Sequence, residues 1–161
     1  MSIKIGERLP EAILKRIGNG VETVDTRALF DGNKVLLFAV PGAFTPTCSE
    51  SHLPGFVRHF DDFRQRGIGV YCMSVNDPFV MQAWGKDQHV PDGLQMLADG
   101  NGDFTRALGL EMDASGYGMG LRSRRYALYA EDGVVKGLWV EAPGEFKVSS
   151  AEHVLAQLTQ G

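Results

Sequence analysis

From Val35 to Val40 the chain reads Val-Leu-Leu-Phe-Ala-Val, with no polar residue. A strand with one wet face alternates apolar and polar positions, so a strand with no polar position must be covered on both faces. Ile68 to Val75 (Ile-Gly-Val-Tyr-Cys-Met-Ser-Val) is a second interior strand. Between them lies a helical pattern in which Leu53, Phe56, Val57, Phe60 and Phe63 share one face. Interior strands joined by a helix pair in parallel through right-handed crossovers. The sequence therefore predicts an α/β fold with a mixed central sheet and helices on both faces.

The remaining elements fit around that unit. Ile3 to Val24 reads as a hairpin turning at Gly18-Asn19-Gly20, and Thr26 to Phe30 as one helical turn stopped by Asp31-Gly32. The helix from Thr47 to about Arg66 should kink at Pro54, which lacks a backbone N–H. Asp77-Pro78 caps and opens another helix, with Val80, Ala83 and Trp84 as its buried face. A third strand is expected over Leu94 to Ala98, then a short helix with Phe104, Ala107 and Leu108. Glycine-rich Asp113 to Ser123 reads as an irregular, mobile loop. Arg125 to Ala130 and Val134 to Val140 form a hairpin around Glu131-Asp132-Gly133, and Ser149 with Glu152 makes a capping box for a last helix reaching Leu158. The order of elements matches a thioredoxin-like topology in one domain over residues 1–161.

A net charge of −4 offers no electrostatic reason to expect nucleic acid or an anionic membrane. Met1 to Pro10 contains no apolar core of a signal peptide, and no apolar run approaches membrane-spanning length. Two cysteines in 161 residues do not make a disulfide framework. A cytoplasmic, reducing setting is expected.

The segment Pro41-Gly-Ala-Phe-Thr-Pro-Thr-Cys48 joins the first interior strand to the helix. It delivers Cys48 to a helix N-terminus at the carboxyl end of a buried strand, where open α/β sheets place ligands and where a thiolate is favoured. The bland reading of a free cysteine is a small buried hydrophobe. Here Thr45 can set a hydroxyl beside the sulfur, and Pro41 and Pro46 stiffen the loop. His52 lies four residues after Cys48, on the same helical face. A cysteine–histidine hydrolase would leave Thr45 and the prolines without a purpose, and a zinc site lacks a second ligand pair. His52 is therefore assigned a supporting hydrogen-bond role. Asp99, Asn101 and Asp103 begin like a calcium loop, but Phe104 and Leu110 stand at positions six and twelve. Gly116, Gly118 and Gly120 lack the strand and spacing of a phosphate loop. No cofactor or metal is implied.

Pro41, Thr45 and Cys48 resemble the peroxiredoxin signature Pro-x-x-x-Thr-x-x-Cys. With His52, Pro54, Gly55, the stretch Ser74 to Trp84 and Arg122 to Leu128, the chain is similar to the peroxiredoxin-5 subfamily, including plant type II members. The resemblance implies a cysteine peroxidase acting on hydrogen peroxide and organic hydroperoxides through a Cys48 sulfenic acid. It also implies that Thr45 orients sulfur and peroxide, that Pro41 shields the thiolate, and that an arginine beside the sulfur favours its ionised form. Residue chemistry alone leaves Arg106, Arg122, Arg124 and Arg125 open. The resemblance matches Arg125, with Arg124 in reserve and with Arg122 and Arg124 otherwise read as solvated loop charges.

Some members of the subfamily carry a resolving cysteine before the last helix, where this chain has Gly144-Glu-Phe-Lys-Val-Ser149. Cys72 reads as a buried inert thiol, its participation being the alternative. A one-cysteine cycle follows, with glutathione and glutaredoxin, or thioredoxin, as reductant. A homodimer through the active-site side is implied, with Phe44, Phe79 and the Met119 loop as contacts. The competing reading is a redox-sensing, thiol-regulated binding protein that is oxidised once without rapid turnover.

Overall fold

The computed structural model of the chain describes residues 2–160; Met1 and Gly161, the ends of the expected domain, lie outside it. The elements are β1 (Ile13–Gly18), β2 (Gly20–Asp25), α1 (Thr26–Phe30), β3 (Lys34–Val40), a π-helical turn (Cys48–His52), α2 (Leu53–Arg58), α3 (Phe60–Gln65) and β4 (Ile68–Ser74). They continue with α4 (Pro78–Asp87), β5 (Gln95–Ala98), α5 (Asp103–Leu108), β6 (Glu111–Asp113), β7 (Leu121–Ser123), β8 (Tyr126–Glu131), β9 (Val134–Val140) and α6 (Ala151–Gln160). A seven-stranded sheet has the order β2-β1-β5-β4-β3-β8-β9. β3 pairs in parallel with β4, and β4 with β5, while β8 runs antiparallel to β3. This is the mixed, thioredoxin-like sheet that the two apolar runs require.

β3 divides the core by alternation. Leu36, Phe38 and Val40 pack with Phe56, Phe63 and Trp84 on one face, together with Cys48 and Cys72. Val35, Leu37 and Ala39 pack with Phe30, Phe104 and Leu108 on the other. Each large apolar side chain so removed from water contributes about 1.5–3 kcal/mol, which is why β3 carries no polar residue after its exposed first position, Lys34. Phe38 and Phe56 stack at 4.1 Å between ring centroids, 6° from parallel, which fixes the floor beneath the Cys48 turn.

Several local expectations are corrected. The Cys48 helix is disturbed just before Pro54 rather than at it: Leu53 N–H bonds Cys48 O across a π-turn, and a second break falls at His59. Pro54 has no N–H to continue an α-helical ladder, so the wider register is accommodated in the turn before it. On α4 the buried residues are Met81, Trp84 and Gly85, while Ala83 is exposed and Val80 half-buried. The ends of the expected irregular loop pair as a small β6–β7 sheet. The N-terminal hairpin is confined to β1 and β2; Gly6 and Leu9 instead donate to Val135 O and Gly133 O beside β9. Helix α6 is capped by Ser150, whose hydroxyl accepts from His153 N–H at 3.1 Å, because Ser149 is engaged elsewhere. Asp99 accepts from Phe104 N, Thr105 N and Thr105 Oγ1, so its carboxylate serves the start of α5. No helix among the described residues is long and apolar enough to cross a membrane.

Candidate active site

β3 ends at Val40, and the loop that follows is tied at several points. Asn76, just beyond β4, accepts from Ala43 N–H at 2.9 Å and from the Ser74 hydroxyl. Arg122 donates to Met119 O at 2.9 Å and to Pro41 O at 3.4 Å, which docks the β6–β7 connection on the loop. Gly42 sits where a Cβ would lie 2.9 Å from Met119 Cε and 3.2 Å from Arg122 Nη1, so a side chain there would push this docking apart. Phe44 takes a left-handed backbone conformation (φ 65°), a strained choice for an aromatic residue, and its exposed ring lies 6.5 Å from that of Trp84. Trp84 in turn donates to Ser49 Oγ at 3.0 Å.

Cys48 follows in the first helical turns and is fully covered. Arg125, at the entry to β8, reaches it across the sheet: Nη2 donates to Sγ at 3.1 Å. Nη1 of the same guanidinium lies 3.0 Å from His52 Nδ1. His52 Nε2 lies 3.0 Å from Ser149 O. A carbonyl only accepts and a guanidinium only donates, so Nε2 carries the proton and Nδ1 is bare. Phe146 covers both partners, with its ring 5.0 Å from His52 and 5.8 Å from the Arg125 Cζ. His52 is thus a neutral link that aims the arginine.

Thr45 donates its hydroxyl to Gly42 O at 2.7 Å. Its proton is committed, so toward a ligand the hydroxyl acts as an acceptor and not as a donor. Arg122 and Arg124 are not merely solvated: Arg124 donates to Glu141 O at 3.1 Å, and Arg122 holds Pro41 as described. Arg106 pairs with Asp103 at 2.7 Å on the surface of α5. Arg125 alone among these four has a hydrogen bond to the sulfur. Cys72 is fully buried, its position on β4 paired with Phe38 on one side and Met96 on the other. Burial, and then the neighbouring Cys48, push its thiol well above the ordinary range, so it stays protonated.

Similarity to known proteins accounts for this arrangement. The Redoxin family profile matches residues 4–155. Peroxiredoxin-2E, chloroplastic, of Arabidopsis thaliana is 50% identical over 163 residues, covering 98% of this chain and 70% of the relative. The chain belongs to the peroxiredoxins. Reduced Prx3 of Vibrio vulnificus, solved in complex with H2O2, is 51% identical with a TM-score of 0.92, over 98% of this chain and 96% of that one. Peroxiredoxin 5 of Alvinella pompejana is 33% identical with a TM-score of 0.86, over 99% of each chain. This peroxiredoxin is of the peroxiredoxin-5 type, and its activity is that of a thiol-dependent peroxidase.

The structure also identifies residues to which the sequence pattern gave no part in the site: Asn76, Phe146, Glu141, and Ser149, which was expected only as a helix cap. Asn76, Phe146 and Ser149 meet Ala43 and His52 from far along the chain, whereas Glu141 binds the loop six to eight residues beyond it; only Glu141 carried a signal, as a carboxylate directly after the Val134 to Val140 strand.

Burial, and then the Arg125 charge, lower the His52 imidazole to about 3, against 6.5 for an exposed histidine. The native protein therefore keeps His52 neutral while the unfolded chain takes up a proton below pH 6.5. Stability from this source is complete above the unfolded value and is lost as pH falls toward the folded one. Between pH 7 and pH 5 the wild-type protein should lose about 2 kcal/mol more unfolding free energy than His52→Gln. Urea denaturation of both proteins at the two pH values measures it; equal losses would mean that His52 titrates alike folded and unfolded.

Proposed function

We propose that this peroxiredoxin works by a one-cysteine cycle in which Cys48 is the nucleophile and an external thiol the reductant. The single observation that carries this reading is the Arg125 guanidinium on the Cys48 sulfur, held there by neutral His52. The Cys48 thiolate attacks one peroxide oxygen, an S–O bond forms, and the O–O bond breaks. The departing oxygen leaves as hydroxide or alkoxide, takes a proton to become water or an alcohol, and Cys48 is left as a sulfenic acid. Charge moves from sulfur to the leaving oxygen, so a cation beside both stabilises the transition state more than the ground state. Thr45, its own proton given to Gly42 O, accepts the O–H of the bound peroxide and orients it. Pro41, clamped by Arg122, walls the thiolate from solvent.

A thiol then attacks the sulfenic acid, releasing water and leaving a mixed disulfide, and a second thiol frees Cys48. Glutathione with glutaredoxin is the preferred source and thioredoxin the second. Cys72 is poorly suited to resolve the intermediate, because the attacking species is a thiolate and burial keeps Cys72 protonated. Cys48 is itself covered, so any reductant requires the π-turn segment to open. Two free cysteines suit a reducing, cytoplasmic compartment. The exposed rings of Phe44, in the loop before Cys48, and of Phe79, on α4, support a homodimer through the active-site side.

Turnover of hydrogen peroxide coupled to each reducing system tests the cycle. Glutathione with glutaredoxin should sustain it, and Cys72→Ser, which removes no hydrogen-bond partner of the Cys48 sulfur, should turn over within about twofold of wild type. Turnover that stops in Cys72→Ser would replace this cycle with an intramolecular disulfide. A single oxidation without turnover under either reductant would instead favour the sensor reading.

A further inference from the structure

Glu141 directly follows β9 and is only 3% exposed. No basic side chain pairs with its carboxylate among the described residues. It is satisfied instead by the loop ahead of α6: Lys147 N–H at 2.9 Å to each oxygen, Val148 N–H at 2.8 Å, and Ser149 N–H and hydroxyl at 2.7 Å. Burial alone would raise this carboxyl, but the Ser149 hydroxyl and the Lys147, Ser149 and Val148 N–H groups outweigh it and hold the group below the usual carboxylate range. The Glu141 main chain is fastened as well, its N–H donating to Arg125 O at 2.9 Å and its carbonyl accepting from Arg124 at 3.1 Å.

The loop thus pinned supplies Ser149 O, the acceptor for His52 Nε2. It also supplies Phe146, which covers His52 and Arg125. Freed from Glu141, the Ser149 carbonyl would no longer select the Nε2–H tautomer. An imidazole with its proton on Nδ1 would face the guanidinium donor to donor and push Arg125 from the sulfur. The carboxylate is therefore coupled to Cys48 through defined hydrogen bonds and not only through packing.

We propose that Glu141 is a positioning residue for Cys48, acting through Ser149, His52 and Arg125. This rests on the reading of Cys48 as the reacting thiol. It assigns to a carboxylate remote from the peroxide the task of setting the tautomer and aim of the groups that touch it.

Glu141→Gln replaces one acceptor oxygen by a donor facing backbone N–H groups and removes the charge. Stopped-flow tryptophan fluorescence should show Cys48 oxidation by hydrogen peroxide slowed about tenfold. The pH midpoint for alkylation of Cys48 by iodoacetamide should move upward. The loss should not multiply with that of His52→Gln: the double variant should react no more slowly than His52→Gln alone. Ser149→Ala keeps the carbonyl and removes one donor, and should cost about threefold; it decides the matter if Glu141→Gln does not fold. A Glu141→Gln protein with wild-type oxidation rate and alkylation midpoint, or a loss that multiplies with that of His52→Gln, would overturn the proposal. If wild type failed to consume peroxide the peroxidase reading would fall, while the alkylation midpoints would still decide the role of Glu141.

Discussion

Cys48→Ser is expected to lower peroxide consumption by at least about 10⁴-fold, with the folded structure retained. The expectation follows from the chemistry of the step. An alcohol at this position is neither ionised near neutral pH nor soft enough to attack an O–O bond, and nothing else in the loop can substitute for it. The only other thiol, Cys72, is buried and kept protonated, so it offers no second route. Serine is close in size to cysteine, and Arg125 can donate to its hydroxyl as it does to the sulfur, so the loss should appear in the rate and not in the thermal midpoint. Following peroxide loss at fixed protein concentration, together with circular dichroism, checks both halves. Residual turnover near the wild-type level would remove Cys48 from the reaction.

Arg125→Ala should be the next most damaging change, slowing oxidation of Cys48 by about 10²–10³-fold, the scale for losing one preorganised donor to a developing anion. The guanidinium serves two partners at once, Sγ at 3.1 Å and His52 Nδ1 at 3.0 Å. Lysine carries the charge but only as a point, without the planar fork that spans sulfur and imidazole. Arg125→Lys should therefore recover part of the rate and fall well short of wild type. Stopped-flow oxidation of the two variants separates these contributions. Equal rates in the two would mean that geometry alone matters, and a wild-type rate in Arg125→Ala would exclude the arginine from the step.

The parts of this molecule that were legible in sequence are those set by neighbours in the chain. Val35 to Val40, short, apolar and bounded by Asp31-Gly32 and Pro41-Gly42, reads as a buried strand from its immediate neighbours, and Pro41 to Cys48 is a contiguous signature. Asp77 caps α4 as expected because an N-cap bond spans few residues: its carboxylate accepts from Val80 N–H at 2.9 Å. The rest was hidden for the converse reason. Ser149 looked like a cap because it precedes Glu152 at capping-box spacing, yet a more distant carboxylate claims its hydroxyl and Ser150 caps the helix. His52 could be placed near Cys48 by helical spacing, but its partners, Arg125 and Ser149, are brought in by β8 and by the loop before α6. Arg125 could not be separated from Arg122 and Arg124 by residue chemistry, since all three stand close together and differ only in what the fold places before them. Phe44 gave no sign of its left-handed backbone, which is imposed by the loop around it.

The central claim is that Cys48 alone carries the oxidised state and passes it to a thiol from outside the chain. Reduced protein treated with one equivalent of hydrogen peroxide in the presence of glutathione, then digested and mapped by mass spectrometry, tests this directly. A glutathionyl group on Cys48, with Cys72 unmodified, is the result expected. A disulfide joining Cys48 to Cys72 would contradict it.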